Sequence, residues 1–231
     1  TDRDGLDDGY EVSIGSNPHN GGLLGHGIGD GDMFQLGWNV TAGYDVLNTL
    51  LLENFETASR TNWTHRKVNA YVGPDLWHLS QAEPSPNNSG VTYLNDHTTN
   101  TVYAYSTDSA MGTNWAAGYS SLYNQQRAAL ESPRIDAFAV SNLFVEWNEF
   151  YSTEPNADFV QVFGRAGANT NWYPIGAARS GQSGVSNAVT NAAAAWIHSV
   201  ADFSRFAGQS NVQVRFLFSA NDINNHFPGW Y

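Results

Sequence analysis

Short apolar or alternating segments, separated by polar turns, dominate the chain from residue 54 onward. In residues 212–218, Val212, Val214, Phe216 and Phe218 would point to one side of a strand and the residues between them to the other. We predict strands at 68–72, 101–105, 135–140, 143–147, 159–163, 172–177 and 212–218. Strands at this near-regular spacing are typical of an all-β antiparallel sandwich, whereas a parallel sheet would need helices between them.

The composition supports one large core. The 231 residues are 41% hydrophobic and include 8 Trp, 11 Tyr and 12 Phe, which is too aromatic for a disordered chain. The absence of cysteine excludes disulfides and thiolate metal sites. An exported chain without disulfides needs another covalent or ionic constraint, and calcium is the candidate that the acidic residues favour.

The acidic N-terminal residues have the spacing of a calcium loop. Calcium takes about six to eight oxygen ligands, and such loops place carboxylates at alternate positions around a glycine turn. The expected ligands are Asp2, Asp4, the carbonyl of Leu6, Asp8 and Glu11. The first ligand of the pattern would precede Thr1, which suggests that the chain begins inside the motif.

A second, weaker copy follows at a shift of 28 residues. It offers Asp30 and Asp32 as ligands, but Met33, Leu36 and Asn39 replace the turn glycine and two acidic positions. We therefore expect one good calcium site and a weak or absent second one. The alternative is that the whole acidic segment is a solvated linker.

The charge distribution restricts the partners. The formal net charge is −12, and residues 1–49 contain 8 acidic residues and only Arg3 as a base. Nucleic acid and anionic membranes need clustered Lys and Arg, and Lys67 is the single lysine. No apolar segment reaches the length of a membrane span.

Residues 1–20, and more weakly 30–48, resemble bacterial thrombospondin type 3 repeats. The matching residues are Asp2, Asp4, Gly5, Leu6, Asp8, Gly9, Tyr10 and Glu11, then Gly15, Ser16, Asn17 and Pro18. The resemblance implies calcium binding at the acidic positions. It also implies that residues 1–49 form a stiff spacer before another domain.

Residues 51–231 resemble the MAM-like jelly-roll domains found beside secreted bacterial metallopeptidases of the immune inhibitor A type. The matching segments are 53–56, Trp63, 75–78, 130–135, 158–162, 202–208, 212–216 and 229–231. The resemblance implies a jelly-roll β-sandwich over residues 50–231 with a structural calcium. In that family the last motif continues into aspartates that help to hold the ion, whereas this sequence ends at Tyr231.

Four acidic residues of the sandwich are the expected ligands of that second calcium: Glu53, Glu56, Asp75 and Asp158. Asp75 and Asp158 adjoin apolar strand residues, where an uncompensated carboxylate is costly. Ordinary ion pairs with Arg66, Arg134 or Arg215 are the alternative explanation.

Exposed aromatic side chains can stack against sugar rings. Most tryptophans of a sandwich belong to its core, so few of the aromatic residues are expected to bind a ligand. Trp115 and Tyr119 are the expected exceptions, because they lie in the Gly-, Ser- and Asn-rich segment 112–121.

Catalysis has little support. The sequence has no His-Glu-x-x-His zinc motif and no Gly-x-Ser-x-Gly elbow. Two carboxylates can hydrolyse a glycosidic bond, and the pairs Glu146 with Glu149 and Glu154 with Asp158 are close in sequence. At strand and turn spacing such pairs are usually surface acids.

We therefore interpret the chain as a noncatalytic, calcium-stabilised module of a secreted or surface bacterial protein. Its expected role is adhesion or targeting to a glycan or an extracellular protein, as part of a larger multidomain chain. Two alternatives remain: a self-assembling subunit of an extracellular filament or surface layer, and an accessory domain of a secreted metallopeptidase whose catalytic domain lies outside this chain.

Overall fold

The computed structural model describes residues 6–15, 17–19, 29–38, 49–53, 62–68, 77–81, 91–94, 99–102, 109–113, 126–184, 195–221 and 229–230. Two short helices precede the strands: α1 (Asp8–Ile14) and α2 (Asp30–Gln35). The first strands are β1 (Thr64–Lys67), β2 (Trp77–Gln81), β3 (Val91–Leu94), β4 (Thr99–Val102), β5 (Ser109–Thr113) and β6 (Gln126–Glu131). They are followed by β7 (Phe144–Glu149), β8 (Tyr151–Ser152), β9 (Phe159–Arg165), β10 (Tyr173–Arg179), β11 (Ile197–Asp202), β12 (Gln213–Ala220) and β13 (Gly229–Trp230).

A five-stranded antiparallel sheet forms one layer, in the order β1-β6-β12-β9-β10. Its central strand β12 alternates as the sequence predicts: Val214 and Phe218 are buried against the core, while Gln213 and Arg215 lie on the other face. The face of this sheet that carries Gln213 and Arg215 is called the outer face below.

Shorter antiparallel pairs supply the opposing strands: β7 with β11, β8 with β13, and β2 with β5, while β3 pairs with β4. The indole of Trp77 on β2 donates a hydrogen bond of 3.0 Å to the Ala128 carbonyl on β6. Trp230 on β13 packs against both Trp77 and Phe216. The protein is therefore an all-β antiparallel sandwich with an aromatic core, as predicted.

The two helices precede this sandwich, and α2 packs against it. Asp7 caps α1 by accepting hydrogen bonds from the Gly9 and Tyr10 amides, and Gly15 ends the helix in the left-handed conformation. Met33 and Leu36 are buried against Phe144 of β7 and Val200 of β11. This apolar contact fixes α2 on the β7–β11 pair.

One of the predicted strands differs from the observed structure, and another is not described. Residues 135–140 are not a strand: Ile135 makes one bridge to Val212, and the chain then turns, with the Val140 amide donating to the Ala137 carbonyl. The strand predicted at 68–72 lies outside the described residues except for Val68, which follows β1.

The other five predicted strands are confirmed in part or in full, as β4, β7, β9, β10 and β12. Within the described part of the chain, no helix is long and apolar enough to cross a membrane.

Candidate functional site

The acidic residues of the helical segment divide into exposed and completely buried groups. Asp8, at the start of α1, is exposed, whereas Glu11 one turn later and Asp30 at the start of α2 have no solvent-accessible surface. Leu6 is half-buried. The two helices contact each other through Tyr10 and Phe34, whose ring centres are 5.3 Å apart in an edge-to-face arrangement.

Buried carboxylates require compensation by hydrogen bonds, an opposite charge or a metal ion. A calcium ion suits this donor set, because Glu11 stands where a calcium loop places its terminal two-oxygen ligand, and all other candidates are oxygen donors. The predicted ligands Asp2 and Asp4 lie outside the described residues.

The helices relate the two acidic copies by a shift of 22 residues. This shift aligns Asp8 with Asp30. It also aligns Gly15 with Gly37, which follow the ends of α1 and α2 and both have positive φ. The predicted shift of 28 residues is wrong, because it would place Gly9, inside α1, on Gly37, beyond the end of α2. In the correct alignment Met33 replaces Glu11, so the second copy lacks the terminal carboxylate.

Asp32 faces the sandwich. Its Oδ2 atom lies 3.2 Å from Nε2 of His198 on β11, and Glu146 on β7 brings Oε2 to 3.9 Å from the same nitrogen. These three side chains, called the Asp–Glu–His triad below, each offer one possible ligand atom, and these three atoms lie within 4.8 Å of one another. His198 was not singled out in the sequence, because only the packing of α2 brings it near an aspartate.

The predicted calcium ligands of the sandwich are described only in part. Asp158 is completely buried and accepts a hydrogen bond of 2.8 Å from the Asn221 amide, and Glu53 is half-buried. Glu56 and Asp75 lie outside the described residues. Arg66 and Arg215, offered as alternative partners, both form ion pairs with Glu131.

A buried carboxylate that the sequence did not reveal lies between the sheets. Glu149 is completely buried and accepts hydrogen bonds from Ser199 Oγ at 2.6 Å and Trp230 Nε1 at 2.8 Å, and it pairs with the Arg179 guanidinium. Burial raises the pKa of the neighbouring Tyr151 phenol, with Arg179 lowering it and Glu149 raising it.

The first pair of carboxylates considered for catalysis is separated by this arrangement. Glu146 and Glu149 are three positions apart on β7, so they lie on opposite faces of the strand. Glu149 points into the core, and Glu146 points toward α2 and is largely exposed. The expectation that such pairs are surface acids is wrong for Glu149. It is also wrong for the second pair, since Asp158 is completely buried and Glu154 is half-buried.

The outer face of the five-stranded sheet carries a cluster of charged and planar side chains. We call this cluster the arginine face, and it comprises Arg66, Glu131, Arg165, Trp172, Gln213 and Arg215.

Cross-strand pairing positions the charged members of this face. Glu131 and Arg215 are directly opposite on β6 and β12, and Gln213 and Arg165 are opposite on β12 and β9. Arg66 and Arg215 donate to the same Glu131 oxygen, at 3.0 and 2.6 Å. Two guanidinium groups therefore share one carboxylate, and the third, of Arg165, donates to the Gln213 side chain instead.

Trp172 lies beside two of these guanidinium groups. The Arg165 and Arg215 guanidinium carbons lie 4.3 and 3.9 Å from the centre of its ring. Burial lowers the pKa of Arg215, the carboxylate of Glu131 raises it, and the charges of Arg66 and Arg165 lower it. The local charge is positive in a chain with a formal net charge of −12.

The aromatic ligand residues predicted from the sequence, Trp115 and Tyr119, lie outside the described residues. No local pattern distinguishes Trp172 from the other tryptophans of the sequence. Its arginine neighbours are distant in the chain, so their association depends on the strand order.

The fold and these sites define a β-sandwich module with an acidic helical segment. No protein-family model matches the sequence, and no curated protein is significantly similar to it. Among solved structures, the K1 cleaved adhesin domain of Lys-gingipain from Porphyromonas gingivalis W83 is similar. It has a TM-score of 0.38 and 14% identity, over 73% of this chain and 91% of that one.

A carbohydrate-binding module described for specific mannan recognition, TmCBM27, is also similar. It has a TM-score of 0.32 and 12% identity, over 74% of this chain and 84% of that one. At these levels neither similarity assigns a ligand to this chain.

Proposed function

We propose that this chain is a noncatalytic, calcium-stabilised module of a secreted or surface protein, and that it binds an extracellular glycan bearing carboxylate or sulfate groups. The observation that carries the proposal is the arginine face, where the guanidinium groups of Arg66 and Arg215 pair with Glu131 and those of Arg165 and Arg215 lie against the Trp172 indole. An extracellular protein with an acidic surface is the alternative ligand.

The chemistry of this face suits an acidic sugar. Guanidinium groups bind carboxylates and sulfates through paired hydrogen bonds, and Gln213 adds an amide to the same surface. An indole ring supplies an apolar plane for a sugar ring. Arg66 is exposed and Arg165, Trp172 and Gln213 are half-buried, so solvent reaches the face.

The excess of positive charge supports an anionic ligand in particular. Arg215 is almost fully buried, and its pKa is lowered by that burial and by two neighbouring guanidinium groups, against the effect of Glu131. An added anion would stabilise the charged form of all three arginines. A neutral glycan would gain no such contribution.

The separation of Glu146 from Glu149 supports a noncatalytic role. A glycosidase needs its two carboxyl groups on either side of one scissile bond. Here one carboxylate is exposed and the other is enclosed by Arg179, Ser199 and Trp230.

A glycan array, followed by titration of the strongest ligand, tests the proposal. We expect the wild-type chain to bind uronic-acid or sulfated glycans, with an affinity that falls as salt increases. Trp172→Ala should lower the affinity by about 10-fold, which corresponds to about 1.4 kcal/mol. Arg165→Gln should lower it for acidic glycans.

Phe138→Ala is the matched control, because Phe138 is an exposed aromatic side chain that is not a member of the arginine face. It should bind as the wild type does. Melting curves of each variant separate lost binding from lost folding. If the wild-type chain binds no glycan on the array, or if Trp172→Ala binds as the wild type does, the assignment of a glycan to this face is overturned.

A further inference from the structure

We propose that the Asp–Glu–His triad is a site for a divalent transition-metal ion of the Zn²⁺ type, and that this ion joins α2 to the sandwich. The triad combines one imidazole nitrogen with two carboxylates from three separate elements. It shares Asp32 with the weaker acidic copy, and it differs from the proposed calcium sites in that their expected donors are all oxygen atoms.

The β7–β11 pair places two of the three ligands side by side. Val200 lies directly opposite Glu146 in the ladder, and His198 is two positions from Val200, so His198 and Glu146 share one face as diagonal neighbours. Their side chains are 43% and 57% exposed, so an ion can reach them.

Helix α2 delivers the third ligand to the same face. Met33, directly after Asp32, is completely buried with Leu36 against Phe144 and Val200. This contact leaves the Asp32 side chain 18% exposed and its Oδ2 atom 3.2 Å from His198 Nε2. The backbone of every ligand is therefore fixed by apolar packing or by strand pairing, which reduces the entropy cost of assembling the site.

The distances suit a small ion after minor side-chain adjustment. Zinc binds imidazole nitrogen and carboxylate oxygen at about 2.0–2.2 Å, so its tetrahedral ligand atoms are about 3.3 Å apart. The two distances to His198 Nε2 are 3.2 and 3.9 Å. Three protein ligands leave a fourth position for water. Calcium prefers an all-oxygen shell, and the imidazole therefore favours a transition metal.

Titration calorimetry with Zn²⁺, on chain kept saturated with Ca²⁺, tests the proposal. We expect one Zn²⁺ per chain and a melting temperature raised by about 5–10 °C at a free Zn²⁺ concentration about 100 times Kd. His198→Ala should abolish both effects, and Glu146→Gln should weaken binding by at least about 10-fold. Both side chains are exposed, so we expect neither substitution to destabilise the folded state.

His65→Ala is the matched control, because His65 is an exposed histidine on β1. It should keep the zinc response. The proposal fails if wild-type chain binds no zinc, if His198→Ala binds zinc as the wild type does, or if His65→Ala loses the response equally. Glycan binding plays no part in this measurement, so failure of either proposal leaves the other standing.

Discussion

At the scale of single residues, Glu149 shows how a charge can be carried inside this sandwich. Its two oxygens accept from Arg179, Ser199 and Trp230, which belong to β10, β11 and β13. One carboxylate thus connects β7 to three other strands. Such a pair adds little net stability over an apolar replacement, but removing one partner leaves the other charge uncompensated.

Glu149→Gln tests this arrangement. The substitution conserves shape but removes the negative charge opposite Arg179, so we expect the free energy of unfolding to fall by about 3–5 kcal/mol. Urea denaturation monitored by tryptophan fluorescence measures the change.

Glu146→Gln is the matched control, on the same strand and the opposite face. In zinc-free buffer its effect should stay within about 0.5 kcal/mol. Equal destabilisation by the two substitutions would contradict the buried role of Glu149.

At the scale of elements, α2 depends on its contact with the sandwich. A six-residue helix is not stable alone in water, and it is held here by the burial of Met33 and Leu36 against Phe144 and Val200. The same contact positions Asp32 beside His198. The docking of α2 and the proposed zinc site should therefore weaken together.

Met33→Ala should reduce the stability of this docking by about 2–5 kcal/mol, because the side chain is completely buried. We expect faster hydrogen exchange of the α2 amides, with the amides of β9 and β12 unchanged. Val12→Ala, on the exposed side of α1, should leave exchange in α2 as it is. Unchanged α2 exchange in Met33→Ala would show that the contact does not hold the helix.

The sequence predicted those elements whose local pattern agrees with their burial. The alternation in β12 succeeded because every second residue faces the core. Strand β6 was missed, since its residues Gln126–Glu131 include Ala, Leu, Gln and Glu, which favour helices in isolation. Pairing with β1 and β12 overrides that preference.

The candidate sites were less predictable than the strands. The acidic repeat was visible in the sequence, but its period was misjudged because the matched residues included Gly9, which is inside a helix. The arginine face and the Asp–Glu–His triad join residues far apart in the chain, such as Asp32 and His198. Local patterns carry no information about such contacts, which arise from strand order and helix docking.

At the scale of the whole molecule, the chain carries a large negative charge and has no disulfides to offset the repulsion that this charge causes. The formal net charge is −12, and Glu11, Asp30 and Asp158 are completely buried. Repulsion among carboxylates opposes the compact state, and a bound cation relieves it. If calcium binds the folded chain only, its binding free energy adds to the free energy of unfolding.

Chelation should therefore destabilise the molecule. With calcium at about 100 times Kd, binding contributes about 2.7 kcal/mol per site, so EGTA should lower the melting temperature by about 5–10 °C for each site lost. Calcium should restore the transition and magnesium should not, because Mg²⁺ is smaller and sheds its water reluctantly. Differential scanning calorimetry in zinc-free buffer measures the melting temperature with EGTA, with calcium and with magnesium.

Glu11→Gln tests which site causes the calcium-dependent shift in melting temperature, since Glu11 is the expected two-oxygen ligand at the end of the calcium loop. This variant should lose the calcium-dependent shift that belongs to the helical segment, whereas Glu146→Gln should keep it. Melting curves that coincide with EGTA and with calcium would show that the buried carboxylates are compensated by protein groups alone. A shift that survives in Glu11→Gln would instead assign the stabilising ion to the sandwich, where Asp158 is the buried carboxylate among the described ligands.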